Sequence, residues 1–278
     1  MDRGAAPSAL MAEGITPDLS APRLAYAAGQ HLVAQTIAKR ASYAPVWTLD
    51  GSLLLGNTHI LPRLSRIAKP GIPAFDPSAD AWFASANGSI VRIENDSLVV
   101  VANGVQGVDI DVRAEVGIAV SREPNDTIVL HRLPSEGALP DRPNATVLLT
   151  GRGFFYPRFS PDGTTILVSE SHQDGSRFWI TTLDGAARVV AQGSHPSWHP
   201  NGRSIVFVRT QDDGHVLLSS EVWMVDVASG EERMVGQAPF PATHPTISHD
   251  GSMIAFADGR GGALYWAAFD SSFVRGGR

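Results

Sequence analysis

One repeated segment, about 40 residues long, constrains the fold of this chain more than any other feature of its sequence. Three copies align without gaps: YPRFSPDG at 156–163, HPSWHPNG at 195–202 and HPTISHDG at 244–251. Each copy is followed by an apolar run and then, after a polar loop, by a second run that holds an aromatic residue. Two copies add a turn and a last short run. The repeating unit therefore predicts four short antiparallel strands.

Weaker copies of the segment precede these three, as YAPVWTLDG at 43–51, GIPAFDPSAD at 71–80 and GVDIDVRAEVGIAV at 107–120. The spacing from Pro45 to Pro245 gives five periods with a mean of about 40 residues. This period, with four strands per unit, is typical of a β-propeller. We expect an all-β fold, a six-bladed β-propeller of four-stranded antiparallel blades, with five or seven blades as the alternatives.

The positions of the segment have physical reasons. The Asp-Gly or Asn-Gly pair supplies the positive φ angle that a tight hairpin turn requires. The prolines are expected at the entry to the innermost strand, where a missing N–H costs least. A large apolar residue follows each proline two positions later and is expected to pack between neighbouring blades; these residues are Phe159, Trp198 and Ile247.

This Pro-x-aromatic-Ser-Pro-Asp-Gly pattern, followed by an apolar run, resembles the TolB-type, WD-like propeller repeat, which is also seen in the propellers of prolyl-oligopeptidase-like enzymes. The resemblance covers about 235 residues, from roughly residue 43 to the end. It implies a six-bladed propeller. Peptidase chemistry is not implied, because the sequence has no G-x-S-x-G segment.

The expected domain organisation is simple. We interpret residues 1–23 as a flexible N-terminal segment and residues 24–278 as a single propeller domain with blades from about residue 43. After the last aromatic run only FDSSFVRGGR remains, which is a poor fourth strand. The alternating segment HLVAQTIA at 31–38 is expected to close the last blade and so remove an open sheet edge.

Composition excludes several classes of function. The net charge of −6 and the pI of about 5.8 argue against a nucleic acid or an anionic membrane surface as partner. With no cysteine, the chain has no disulfide, zinc–thiolate site or thiol nucleophile. The opening residues lack the apolar run of a secretory signal, which predicts a cytoplasmic protein, although a chain with its leader removed would look the same.

Candidate functional residues are expected on the blade face where the chain enters each innermost strand, around the central channel. His195 and His244 directly precede the repeat prolines, and Tyr156 has the equivalent position. Two imidazoles and a phenol from consecutive blades are expected to converge at the channel mouth, as an acid/base pair or a divalent metal requires. We therefore predict catalytic roles for all three residues and a metal-ligand role for the histidines, with an ordinary polar rim as the alternative.

Further candidates lie on the same expected face. His172 and Glu170 are predicted to assist catalysis, with a bridge from Glu170 to Arg177 as the alternative. Arg158 is predicted to bind a substrate carboxylate, with an inter-blade salt bridge as the alternative. The other predicted substrate-binding residues are Gln173, His215, Asp258 and Arg260.

The remaining histidines are expected elsewhere. His199 and His249 fall in the hairpin turns and are interpreted as solvated turn residues. Structural or exposed positions are expected for His31, His59 and His131.

Two classes of function remain open. The first is a small-molecule enzyme of the lyase, cyclase or isomerase type that works by general acid–base catalysis, with possible metal assistance. The second is a binding module that, as the TolB resemblance implies, captures a peptide or protein segment at the channel entrance. The absence of a nucleotide fingerprint and of a thiol disfavours redox and phosphoryl-transfer chemistry.

Overall fold

The computed structural model describes residues 35–38, 46–47, 53–54, 73–77, 79–94, 97–133, 144–151, 153–212, 216–238, 240–259 and 264–269. These residues form 22 strands, β1 to β22, and two short 3-10 turns, and they include no α-helix. Within these ranges, no helix is long and apolar enough to cross a membrane. The predicted flexible segment at 1–23 lies outside the described residues, as do His31 and His59.

Five four-stranded antiparallel sheets make up most of this part of the chain. In the first three sheets the strands are β4 (Ala74–Asp76), β5 (Ala81–Ala86), β6 (Ser89–Glu94) and β7 (Ser97–Asn103); β8 (Asp109–Arg113), β9 (Ile118–Glu123), β10 (Thr127–Arg132) and β11 (Asn144–Leu149); and β12 (Phe154–Phe159), β13 (Thr165–His172), β14 (Gly175–Thr182) and β15 (Ala187–Gln192). Consecutive strands pair in each sheet, so β4, β8 and β12 are edge strands.

The fourth sheet follows the same plan, and the fifth takes one strand from the N-terminal part of the chain. Their strands are β16 (Ser194–Trp198), β17 (Ser204–Asp212), β18 (Leu217–Asp226) and β19 (Glu232–Ala238); and β20 (Ala242–Ile247), β21 (Met253–Asp258), β22 (Leu264–Ala268) and β1 (Gln35–Ala38). The strand predicted at 31–38 is thus present over Gln35–Ala38 and pairs with β22. A short two-stranded sheet pairs β2 (Val46–Trp47) with β3 (Leu53–Leu54).

The hydrophobic cores lie between successive sheets. Phe159 of β12 is 2% exposed and packs with Val120 and Leu130 of the preceding sheet. Ile247 of β20 packs in the same way against the fourth sheet, and Trp198 of β16 against the third. The prediction that these aromatic and apolar positions pack between neighbouring sheets is therefore confirmed.

The predicted hairpin turns are also confirmed. Gly163, Gly202 and Gly251 have φ angles of 70°, 67° and 72°. Each glycine N–H donates a hydrogen bond to the carbonyl oxygen three residues earlier, at 2.8–3.0 Å. A side chain at any of these positions would be strained, because L-residues rarely adopt a positive φ.

One turn histidine contradicts its prediction. His199 is 5% exposed rather than solvated, and its ring lies 6.1 Å from that of Phe269. Its Nδ1 accepts a hydrogen bond from the backbone N–H of Asn201 at 3.0 Å, and burial is the main cause that lowers its pKa. His249, in the next copy, is exposed as predicted.

Candidate functional site

The first strands of the last three sheets carry the same β-bulge. The pairing of β12 with β13 is interrupted between Phe155 and Arg158, so that two residues face one on the partner strand. The same interruption occurs in β16 and in β20. Each bulge contains the repeat proline, which lies inside the strand and not at its entry, so that prediction was wrong. Proline has no N–H to donate, and an interrupted ladder accommodates this loss.

The residue before each proline has a left-handed backbone. The φ angles of Tyr156, His195 and His244 are 50°, 52° and 51°. The other described non-glycine residues with positive φ are Asp or Asn, whose short polar side chains tolerate this conformation. For a bulky aromatic residue it costs on the order of 1–3 kcal/mol. Three strained residues therefore stand at equivalent positions in three successive sheets.

These bulges bring side chains from different sheets together. The ring centroids of His195 and His244 are 4.1 Å apart, and those of Tyr156 and His244 are 6.4 Å apart. Tyr156 and His244 meet although the sheet of His195 lies between theirs in chain order. The guanidinium carbon of Arg158 is 5.9 Å from the centroid of the Tyr156 ring. We call these four residues the His–Tyr cluster.

Both imidazoles of the His–Tyr cluster are neutral at pH 7. Burial lowers the pKa of His195 from 6.5 to about 4. Burial also lowers the pKa of His244, to about 3, with further contributions from the nearby charges of His195 and Arg158. The Nδ1 atom of His195 is buried and has no hydrogen-bond partner among the described residues. A neutral imidazole can accept a hydrogen bond or bind a cation, but a low pKa also makes it a weak base.

Arg158 links two sheets through backbone atoms. Its Nη1 donates hydrogen bonds to the carbonyl oxygens of Ile110, at 3.0 Å, and Pro157, at 2.8 Å. Ile110 belongs to β8, the first strand of the preceding sheet. The link between sheets that the sequence left as an alternative is therefore present, but its acceptor is a carbonyl group rather than a carboxylate.

Glu170 has its carboxylate oxygens occupied. Arg177 donates to Glu170 from Nε and, at 3.0 Å, from Nη2, and Trp179 donates from Nε1 at 2.6 Å. The hydrogen bond from Arg177 is the main cause that lowers the pKa of Glu170. The bridge to Arg177, which the sequence left as the alternative to a base role, is thus present.

The other predicted residues are more scattered. His172 lies at the end of β13, where its Nδ1 is 3.3 Å from a carboxylate oxygen of Asp174. Gln173 is exposed at the adjacent hairpin tip, and Asp258 ends β21 opposite Ala242. His215 and Arg260 lie outside the described residues. The roles of all these residues stay predictions.

A second group of polar residues was not singled out from the sequence. His131 of β10 is 3% exposed, and its Nε2 lies 2.7 Å from Ser121 Oγ and 3.4 Å from Glu123 Oε1. The hydroxyl of Ser121 also donates to Glu123 at 2.8 Å. Ser121 is completely buried, so it is not accessible as a nucleophile. The group fits the structural role expected for His131.

The described residues include no group of three or more His, Cys, Asp or Glu side chains that could hold a metal ion. His195 and His244 together offer two imidazole nitrogens, and protons compete little for them because of their low pKa values. Two donors are fewer than the three that a catalytic zinc site uses. The metal-ligand role of the two histidines is therefore still a prediction.

The antiparallel four-stranded sheets are consistent with a β-propeller, and the solved structures that this chain resembles include TolB-like propeller folds. Oligogalacturonate lyase from Vibrio parahaemolyticus matches with a TM-score of 0.56 and 15% identity, over 87% of this chain and 84% of that chain. An oligogalacturonate lyase in complex with manganese matches at 0.53 and 17%, over 87% and 83%. TolB from Acinetobacter baumannii matches at 0.52 and 12%, over 74% of this chain and 55% of that chain.

These similarities show the fold alone. No protein-family model matches the sequence, and no curated protein matches it either.

Proposed function

We propose that this protein is a small-molecule enzyme of the lyase, cyclase or isomerase type, with its site at the channel mouth of a six-bladed propeller. In this proposal β2 and β3 belong to the blade that precedes the five four-stranded sheets, and β1 closes the last one. A hydrogen bond from Nε1 of Trp47 in β2 to the carbonyl oxygen of Thr246 in β20, at 3.2 Å, supports this arrangement.

One observation carries the proposal: three strained bulges direct two imidazoles and a phenol from three sheets to one place. Glycine would adopt the same backbone without strain. The chain instead keeps His195, His244 and Tyr156 there, each a residue able to exchange a proton. Strained backbone at a convergent polar cluster is typical of functional sites.

The residues divide naturally into acceptor and donor. A neutral imidazole of the pair accepts a proton from the substrate, and the hydroxyl of Tyr156 donates one to a leaving or enolate oxygen. Mutual repulsion disfavours two imidazolium ions at 4.1 Å, so only one of the two histidines takes up a proton at a time. Such a step contributes on the order of 10²–10⁴-fold to rate.

The test is to compare turnover by the parent protein and by the His195→Ala, His244→Ala double variant. Oligogalacturonate, which the names of two structural neighbours mention, is the first substrate to try, with loss of substrate followed by mass spectrometry. We expect the double variant to lose about 100-fold or more of the activity while its thermal transition changes little. His249→Ala, which changes an exposed histidine, should keep full activity. Equal turnover by the double variant and the parent would refute the proposal.

The role of a metal is tested in the same preparations. Protein purified without a histidine tag is analysed for bound divalent metals, and activity is measured with and without EDTA. Metal bound by the parent and lost in the double variant would support the predicted ligand role of His195 and His244. Activity that is unchanged by EDTA, in protein free of metal, would exclude that role.

A non-catalytic binding module is the second candidate. The pKa values of about 4 and about 3 favour it, because histidines that hold protons so weakly are poor bases at neutral pH before substrate binds. TolB is among the structural neighbours. Co-purification of one stoichiometric peptide or protein that the double variant releases, with no turnover of any substrate, would favour this candidate.

A further inference from the structure

Arg158 contributes a charge to the His–Tyr cluster that no described carboxylate balances. Five other described arginines are paired with a carboxylate, namely Arg113, Arg122, Arg177, Arg209 and Arg233, whereas Arg188 donates to the carbonyl oxygen of Val227. Arg158 is only half-buried, but it lies close enough to lower the pKa of His244.

Among the described residues, the hydrogen bonds of Arg158 occupy only one side of its guanidinium group. A guanidinium group has five N–H donors. The two on Nη1 account for the carbonyl oxygens of Ile110 and Pro157. The donors on Nε and Nη2 have no acceptor among the described residues. These two nitrogens are also accessible to solvent. Among the described residues, the only side-chain N and O atoms that are both buried and without a hydrogen-bond partner belong to histidines.

The available edge has the geometry of a carboxylate site. Nε and Nη2 point in parallel, and a planar carboxylate accepts two parallel hydrogen bonds from such a pair. A phosphate dianion is a poorer match, because the cluster provides one permanent positive charge and two neutral imidazoles. The guanidinium group stacks over Tyr156, whose ring contacts His244, so an anion bound to it lies next to the rings of the cluster.

We propose that Arg158 binds a carboxylate group of the ligand beside the histidine pair, so that the substrate class is a small carboxylic acid. This inference rests on the proposed function and adds the chemical class of its substrate. The carboxylate supplies the negative charge that the cluster lacks, and it fixes the position of the rest of the molecule relative to His195 and His244.

Benzoate and benzamide form a matched pair of probes, because they differ in charge and not in shape. Binding is measured by calorimetry to the parent protein and to Arg158→Gln, Arg158→Lys and Arg113→Gln. Arg113 is the matched control, since it also donates to a carbonyl oxygen of a neighbouring first strand, that of Phe159 at 3.3 Å, but is paired with Asp111.

We expect the parent to bind benzoate at least about tenfold more tightly than benzamide, and R158Q to lose about tenfold or more in benzoate affinity. R158K, which keeps the charge without the two parallel donors, should lose less, and R113Q should bind like the parent. R158K also provides the measurement if R158Q does not fold, because it must still bind more weakly than R113Q.

Other outcomes overturn the inference. Equal affinity for the two probes, or benzoate binding that is unchanged in both Arg158 variants, shows that this edge is not a carboxylate site. Tighter binding of inorganic phosphate than of benzoate overturns the carboxylate class. These outcomes are separate from the proposed function, which fails only if turnover survives the loss of both histidines.

Discussion

The first strands of the five four-stranded sheets fall into two groups. In β4 and β8 the pairing with the next strand is regular, with each residue opposite one partner. In β12, β16 and β20 a bulge interrupts the pairing, and the residue before proline is left-handed. Both groups occupy the same place in their sheets. The place of a strand within its sheet therefore does not by itself determine whether the strand is bulged.

The two groups use their polar side chains differently. In the regular group, Asp76 accepts the backbone N–H of Ala114, and Asp111 accepts that of Phe159, each at 2.7 Å. These carboxylates join successive sheets. In the bulged group the side chains of the residues before proline meet each other, as those of His195 and His244 do. Polar side chains of the regular group therefore stabilise contacts between sheets, whereas strained residues of the bulged group form the His–Tyr cluster.

The largest expected effect is a loss of stability in acid that comes from the bulged group. His195 has a pKa of about 4 in the folded protein and 6.5 when unfolded, so the unfolded chain binds the proton first as the pH falls. Stability is therefore lost between pH 6.5 and 4, by about 3 kcal/mol for this residue.

Urea unfolding between pH 7 and pH 4.5 measures this loss. The parent should lose more stability than the His195→Ala, His244→Ala double variant, in which the other buried histidines remain as a common background. If the stability of the two proteins falls equally with pH, the loss of stability in acid does not come from His195 and His244.

The next effect comes from the regular group. Asp111→Ala leaves the buried N–H of Phe159 without its acceptor, which should cost about 2 kcal/mol in the free energy of unfolding. Asp111→Asn is the matched control, because its side-chain oxygen still accepts this hydrogen bond, and it should cost less. The denaturant midpoints of the two variants measure this difference. An equal loss of stability in both variants would show that the hydrogen bond contributes little.

The smallest effect tests the strain itself. His195→Gly should be more stable than His195→Ala by about 1 kcal/mol, because glycine adopts a positive φ without strain. Ile110 lies on regular β8 and has no positive φ, so glycine there should be less stable than alanine by about 0.5–1 kcal/mol. Chemical denaturation measures the stability of all four variants. If glycine is the more stable residue at both positions, or alanine at both, the two groups of strands do not differ in backbone strain.

The repeat allowed much of the fold to be predicted. Asp-Gly and Asn-Gly pairs specify hairpin turns through their own backbone preferences. The large apolar residue two positions after proline packs between sheets because each four-stranded sheet is followed directly by the next. The sequence also placed Tyr156, His195 and His244 at equivalent positions, and the structure brings them together.

The bulges could not be predicted, because nothing local distinguishes a proline at the entry of a strand from one inside it. The left-handed backbone at His195 and His244 accompanies these bulges, and the residue types alone do not specify it. Burial of His199 depends on Phe269, which is 70 positions away in the sequence. The carbonyl partner of Arg158 depends in the same way on β8, so the inter-sheet contact was expected but not its chemistry.

The pairing of β1 with β22 has a consequence for biosynthesis. Gln35–Ala38 is synthesised long before its partner Leu264–Ala268, so the fifth sheet stays incomplete until residues 264–268 have left the ribosome. Until then β1 has no partner strand in this sheet, and its backbone is an unpaired template for strands of other nascent chains. Completion of this sheet is therefore expected to be a late step in folding, and the step at which a chaperone is of most use.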